Sequence, residues 1–485
     1  MSKFRELVIN NVRKMKQLFC FLSSQKYFGI AELWPTILAK RKGKKAIQVR
    51  TLLFANSLSI LLVVLFPCLA YSQPTLKLDE AIQLALEHNY GLQIAALEQT
   101  ADEMQVYKSN AGIGPSIDWN VNYGMTGNNV NQTFIDGRNV NRYGRAFSPN
   151  TNVSIAMTLY DGGRMQAAYD RLGMLSQYTA LQAKVLVQNT IADVMQAYYN
   201  IIRQKETLEF LNTIIKYYNE RLKITEERWQ VGQGSKLDFL QSKTVLNAQL
   251  SDLARAGNGL KNAKVVLNGL LNRDPNLDFD TETISNVRAD YDLASLQNQA
   301  KNENRDILLL QKALDISMKQ EEEIAAARKP QIGLDGSIGY SYNNTNAGFL
   351  LSNQNIAAQV RVSARWNLYD GHNRKNQIAI SQLNTRIVEK QQESLEASVV
   401  NELTQAYNQY RFDLELLEFE EQNKTIAEEN LSISLEKFRL GGSSILELNE
   451  AQRAYDTALN RLVNAQYNIR VSELDLLRLS GSLAK

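Results

Sequence analysis

The stretches "LYDGGR" at residues 159–164 and "LYDGHNR" at 368–374 carry Leu-Tyr-Asp-Gly twice, 209 residues apart. The same shift sets Gln196-Ala197-Tyr198 on Gln405-Ala406-Tyr407, and Val231-Gly232 on Leu440-Gly441. Upstream the interval becomes 215: Pro115 matches Pro330, and His88-Asn89 matches Glu303-Asn304. One unit therefore occurs twice, with six residues trimmed from the second copy between Pro330 and Tyr369. The first copy is expected over 73–271 and the second over 291–485. Residues 272–290 form a connector between them.

Downstream of the motif, both copies read as helix. The stretches from Gly162 to Val231 and from Gly371 to Leu440 contain no proline, and at 1.5 Å per residue each would run roughly 100 Å. Gly/Ser clusters, "VGQGS" at 231–235 and "LGGSS" at 440–444, then reverse the chain. Beyond them an apolar heptad runs Phe239, Leu246, Leu253, Leu260, Leu267 in one copy and Leu448, Tyr455, Leu462, Ile469, Leu476 in the other. Five apolar positions in the same register point to coiled-coil packing. Ala451, Ala458, Ala465 and Ser472, three residues on, let helices approach closely.

Upstream of the motif the period changes to two. Ile117, Trp119, Val121 and Tyr123 alternate with polar residues, as do Val153, Ile155, Met157 and Leu159. Ile338, Tyr340 and Tyr342 do the same in the second copy, followed by Val360, Val362, Ala364, Trp366 and Leu368. Strands are predicted at about 115–125, 151–160, 331–342 and 355–369, each about as long as a strand that crosses a membrane. Polar, Asn/Gly-rich loops are expected at 126–148 and 343–353. The repeated motif then marks the passage from strand to helix. Tyr160 and Tyr369 suit a girdle at the water boundary. Asp161 and Asp370 can accept amide hydrogen bonds at a helix start, and Gly162 and Gly371 allow the sharp turn.

The N-terminus is of a different kind. Of the 54 Lys+Arg and 51 Asp+Glu, residues 1–50 hold 12 and two, leaving 42 against 49 beyond. Residues 51–72 carry no charge and end in Ala70-Tyr71-Ser72. This predicts a basic leader and signal peptide over 1–72, cleaved after Ser72; a single transmembrane helix is the competing reading. Pro67 before Cys68 argues against a lipoprotein. Cleavage removes Cys20 and Cys68, both of the cysteines, so no disulfide or thiolate metal site is expected. With only His88 and His372 remaining, no nucleophile–base–orienter set assembles. The sequence predicts no enzyme, no cofactor, no metal site and no nucleic-acid partner. "GQGSK" at 232–236 lacks the ending of a phosphate loop and follows a helix.

The chain resembles the TolC-like outer-membrane efflux proteins over residues 76–481. The resemblance rests on "LKLDEAIQLALEHN" at 76–89, the prolines before each hairpin, both "LYDG" sites, "QAYY" at 196–199, and the turn sequences "VGQGSKLDFLQSK" and "LGGSSILELNEAQRAY". It implies a mainly helical fold with a transmembrane β part: a homotrimer whose four strands per chain make a 12-stranded β-barrel, continued by a 12-helix α-barrel through the periplasm. The implied function is the exit duct of a tripartite efflux or type I secretion system in the outer membrane. Partners would be outer-membrane lipid, a periplasmic adaptor and an inner-membrane transporter. The adaptor would dock at the helix tips, Val231, Gly232, Gln233, Gly234, Ser235 and Leu440, Gly441, Gly442, Ser443, Ser444.

A periplasmic gate is implied at Glu447 and Glu450, where the family carries paired acids, with Asp238 as a latch residue. The family's usual tyrosine partner is replaced here by Phe438. Taken alone, Glu447 and Glu450 read rather as a solvated acid pair in a first helical turn than as a gate. The rival to the whole reading is a periplasmic coiled-coil scaffold or adaptor without a pore. That rival accounts for the helices but leaves the four alternating strands unexplained.

Overall fold

A computed structural model describes residues 75–282, 289–347 and 350–483. The leader, the Ser72 cleavage site, residues 283–288 of the connector and residues 348–349 of the second loop lie outside them.

The first repeat opens with β1 (Thr75–Leu76), α1 (Leu78–His88) and α2 (Tyr90–Gln105). Strands β2 (Pro115–Asn122), β3 (Met125–Thr133), β4 (Asn139–Phe147) and β5 (Asn150–Tyr160) follow, then helices α3 (Arg164–Gln230) and α4 (Lys236–Leu270). After β6 (Asp280–Thr281) come α5 (Leu293–Glu303), α6 (Arg305–Ala325), β7 (Gln331–Thr345), β8 (Ser352–Arg365), α7 (Asn373–Arg439) and α8 (Ile445–Ser480). Both long helices, α3 and α7, have 67 residues.

The two repeats use the same local devices. Asn89 caps α2 by accepting the Leu92 amide, and its Nδ2 donates to the Leu270 carbonyl at the end of α4. Asn304 caps α6 through the amides of Asp306 and Ile307 and donates to the Leu479 carbonyl at the end of α8. One asparagine thus closes a helix start and the end of the last long helix in each copy, satisfying groups that would otherwise lack partners.

Above the junctions the chain forms one antiparallel sheet in which β2, β5, β7 and β8 lie side by side. Its register aligns the apolar residues in rows across all four strands. Ile117, Ile155, Gly336 and Val360 form one row, and Trp119, Val153, Ile338 and Ala358 the next. The opposite face carries rows such as Asp118, Ser154, Ser337 and Gln359. One face is therefore continuously apolar and the other polar. The apolar face is not covered by this chain: Trp119 and Val360 are 74% and 80% exposed. Among the described residues β2 pairs only with β5, and β8 only with β7, leaving two open edges.

Two expectations are corrected here. Most of residues 126–148, expected as loop, folds as the β3–β4 hairpin, turning at Ile135-Asp136-Gly137. Ser148 N–H bonds to the Gly124 carbonyl (2.8 Å) at the break, so the hairpin continues the β2–β5 pair. Its polar, Asn-rich sequence shows no one-sided apolar pattern because both faces can meet water, which hid the strands from periodicity. The last strand also stops early, at Arg365 rather than near 369. The Trp366 indole donates to the Arg328 carbonyl (3.1 Å), and Arg374 takes the Asn367 carbonyl, drawing the chain off the sheet edge. Leu368 and Tyr369 therefore lie beyond the strand.

The connector is not a free linker. Its β6 pairs in parallel with β1, Phe279 is buried, and Asp278 and Asp280 bond to Lys264 and Lys205. These lysine hydrogen bonds hold both carboxyls below the usual carboxylate range.

An epitope inserted after Gly137, at the hairpin tip, is expected to be reached by antibody on intact cells. Labelling only after outer-membrane permeabilisation would place this hairpin tip on the periplasmic side instead.

Candidate functional site: the helix tips and the polar seam above them

Both tips are built alike. In the first, the Gly232 amide donates to the Trp229 carbonyl and the Gln233 amide to the Arg228 carbonyl. In the second, Gly441 donates to Phe438 and Gly442 to Lys437. This is a Schellman turn in each copy, and it needs a left-handed residue after the helix. Gly232 (φ +77°) and Gly441 (φ +82°) supply it. Ser235 and Ser444 then cap α4 and α8, accepting from the Leu237 and Glu447 amides (3.1 and 3.3 Å). Val231, Gln233, Leu440 and Gly442 are exposed at the ends, while Gly234 and Ser443 are half-buried.

Glu447 and Glu450 stand on the exposed side of the first turns of α8, opposite the buried Leu448 and Ala451. Glu447 also sits three residues after Ser444, the spacing of a capping box. Phe438 is buried in the core formed by Ile214, Tyr218, Leu435 and Leu448. The Arg228 guanidinium lies 4.6 Å from its ring centroid and donates to its carbonyl. Asp238, half-buried in the first turn of α4, lies in the field of Arg221. The structure thus groups Phe438 with Arg228, and Asp238 with Arg221.

Arg221 is the residue that sequence reasoning missed. It is 1% exposed, near the end of α3. Its Nε donates to Ser242 Oγ of α4 (3.1 Å), and its Nη1 to Gln452 Oε1 of α8 (2.9 Å) and to Asn449 Oδ1. Arg221 Nη2 and Gln452 Nε2 are buried without a partner. One turn away, Tyr218 Oη donates to Asp456 Oδ2 (2.8 Å), again joining α3 to α8. Burial pushes the Asp456 carboxyl up to about 6, against the lowering effect of the Tyr218 hydroxyl. Burial likewise lowers the Arg221 guanidinium from its ordinary value. A signal existed in the sequence: Ile214, Tyr218, Arg221 and Thr225 share one helical face, and an arginine on an apolar stripe needs a built partner set.

At the other end of α3 and α7, the Asp161 carboxylate accepts the Met165 amide (2.9 Å) and Asp370 the Arg374 amide (3.2 Å). Gly162 is held at φ +81°, where an added Cβ would lie 2.5 Å from the Ala326 carbonyl oxygen. Gly371 has φ +69° with open space around it. Tyr160 ends β5, and Tyr369 packs edge-on against His372.

A sequence profile described as outer membrane efflux protein matches residues 81–273 and again 296–482. The chain belongs to the outer membrane efflux protein family. It is an outer-membrane channel protein of efflux or secretion systems, and a scaffold without a pore is not favoured. Among relatives of this efflux family, the chain is 24% identical to the outer membrane protein TolC of Vibrio cholerae, over 64% of this chain and 70% of that one. It is 22% identical to TolC of Escherichia coli K12, over 61% of this chain and 62% of that one, less than two thirds of its length. In fold it is similar to the outer-membrane channel OprN, with a TM-score of 0.71 at 17% identity, over 84% of this chain and 90% of OprN. No helix among the described residues is long and apolar enough to cross a membrane.

Proposed function

We propose that copies of this chain close head-to-tail into a trimeric ring, a 12-stranded β-barrel continued by a 12-helix tunnel. The ring would serve as the exit duct of a tripartite efflux or type I secretion system. The observation that carries this is that the unpaired strand edges and the uncovered apolar stripes of the end helices lie on the same two sides of the chain. The sheet ends in unpaired β2 and β8. The helices nearest the sheet pack in the order α2, α3, α6, α7, so α2 follows the β2 side and α7 the β8 side. Both end helices carry uncovered apolar stripes: Tyr90, Ile94, Leu97 and Met104 on α2, and Ile380, Leu383 and Ile387 on α7. Towards the tips the order is α4, α3, α8, α7, and α7 continues with exposed Phe412, Phe419, Ile426 and Ile433 at heptad spacing, a line that Leu440 extends just past its end. Open strand edges are not sustained in lipid. A heterologous contact that joins β8 and α7 of one copy to β2 and α2 or α4 of the next covers all of them at once.

In this reading the tips dock the periplasmic adaptor, and Glu447 and Glu450 from three chains ring the entrance. The hydrogen bonds of Arg221 and the Tyr218–Asp456 contact hold α8, which carries those acids, against α3 and α4. They take the place of the tyrosine latch that Phe438 cannot make. Export through a leader cleaved after Ser72 belongs to the same proposal; N-terminal sequencing of the membrane-extracted protein should begin at Gln73.

Single-channel recording tests the entrance. In planar bilayers, Glu447→Gln together with Glu450→Gln is expected to lower cation selectivity and relieve block by multivalent cations, because the removed carboxylates concentrate cations at the mouth. Unchanged selectivity and block would make both glutamates ordinary surface acids.

A further inference from the structure

The register of β2 with β5 (Asn122 opposite Asn150) and that of β3 with β4 (Met125 opposite Phe147) form one continuous register across the break at Gly124. Odd-numbered residues of these strands therefore stay on one face, the apolar face of the sheet. Followed away from the helices, that face runs from Trp119 and Val153 through Val121 to the aromatic pair Tyr123 and Phe147, whose ring centroids are 6.3 Å apart. The next row holds Arg145 opposite Gly127, and the next Tyr143 opposite Asn129. The apolar band thus ends in aromatics, and an arginine and a tyrosine follow directly.

Three details make this spot more than a charged surface. Gly127 leaves a bare patch over which the tyrosine leans: a Cβ there would lie 2.5 Å from Tyr143 Oη. The backbone of Arg145 is pinned, its amide donating to Asn346 Oδ1 (2.6 Å) and its carbonyl accepting from the Asn346 amide (3.2 Å). Its guanidinium, among the described residues, has no hydrogen bond or ion pair, unlike its neighbours. Arg138 pairs with Asp136 (2.6 Å), and Arg142, on the other face, donates to the Asn346 carbonyl (3.3 Å).

An unpaired guanidinium on a lipid-facing barrel surface is costly in hydrocarbon and tolerated at the boundary. There the acceptors within reach are lipid phosphates, which a guanidinium binds through paired, charge-assisted hydrogen bonds. We propose that Arg145 and Tyr143, over Gly127, form an outward-facing site for the phosphate of an outer-leaflet lipid. The guanidinium supplies the charge and the phenol hydroxyl a second donor, while the acyl chains lie along the band below Phe147. The inference rests on the barrel reading above and fixes its depth in the membrane. The lipid surface stops between the Phe147 and Arg145 rows.

The test compares bisphosphorylated lipid A with its dephosphorylated form, bound to the full chain in mixed micelles and counted by native mass spectrometry. Wild type is expected to prefer the phosphorylated lipid about fivefold, the worth of one arginine near an anionic surface. Arg145→Gln should abolish the preference, Tyr143→Phe should reduce it, and Arg138→Gln should leave it intact. Excess inorganic phosphate should displace little lipid. Equal binding of the two lipids by wild type, equal loss in Arg138→Gln, or full displacement by inorganic phosphate would each overturn the site. A protein that forms pores in bilayers yet shows no phosphate preference overturns this inference alone and leaves the barrel standing.

Discussion

Channels carrying Arg221→Met are expected to open more readily than wild type in planar bilayers and to admit large antibiotics into cells. The substitution removes the hydrogen bonds by which α3 holds Ser242 of α4 and Asn449 and Gln452 of α8. The losses are unequal. Ser242 keeps its bond to the Asp238 carbonyl (2.8 Å), and Asn449, half-buried, regains water. Gln452, 1% exposed, is left with neither its oxygen nor its nitrogen paired. Stranding one buried amide costs about 1–3 kcal/mol, and removing a buried, incompletely satisfied guanidinium offsets part of that. The net loss of stability should therefore be modest while the change in gating is large.

A double variant separates the two effects. Arg221→Met with Gln452→Leu replaces the polar pair by apolar side chains and should recover the melting temperature. It should not restore closure, because the Arg221 bonds that fix the first turns of α8 against α3 and α4 are gone and the Tyr218–Asp456 contact, one turn away, does not replace them. If Arg221→Met conducts and excludes antibiotics as wild type does, the buried cluster is a packing feature and closure is held elsewhere.

How much of this was legible in the sequence depended on whether a residue's role is set by its neighbours along the chain. The duplication, the long helices and the tip turns were legible because Gly232, Gly441, Ser235 and Ser444 act within one turn of backbone. The strands β2, β5, β7 and β8 were legible because Ile117, Val153, Ile338 and Val360 share one face at period two. The β3–β4 hairpin was not, since a strand wetted on both faces carries no alternation. The early end of β8 was not either, because it depends on Arg374 reaching back to Asn367. The exposed acids Glu447 and Glu450 were singled out by resemblance, and their exposure follows from their place in a first helical turn. The Arg221 cluster joins positions 221, 242, 449 and 452 from three helices, a juxtaposition that only packing creates. Phe438 illustrates the same limit: its identity was clear, but its burial under Arg228 was not.

The polar seam should also make stability depend on pH, through Asp456. Burial raises this carboxyl to about 6, against about 3.9 in an unfolded chain. The folded protein therefore binds the proton more tightly than the unfolded one between those values. The sign follows: the contribution of this group is fully present below about pH 4 and is lost as pH rises through about 6. That difference corresponds to roughly 3 kcal/mol. Asp456→Asn removes the charge penalty and keeps an oxygen to accept from Tyr218. It is expected to unfold at a higher temperature than wild type at pH 7.5, and the gap should shrink towards zero at pH 4.5. Comparing the two proteins at each pH cancels the titration of every other carboxylate. Tyr218→Phe should do the reverse, lowering the melting temperature at pH 7.5 more than at pH 4.5. It deletes the Tyr218 hydroxyl donor that favours the charged form (2.8 Å). A gap between Asp456→Asn and wild type that stays constant from pH 4.5 to 7.5 would mean that Asp456 is solvated in the assembled channel. The Tyr218 contact would then carry no linkage between pH and the packing of α8.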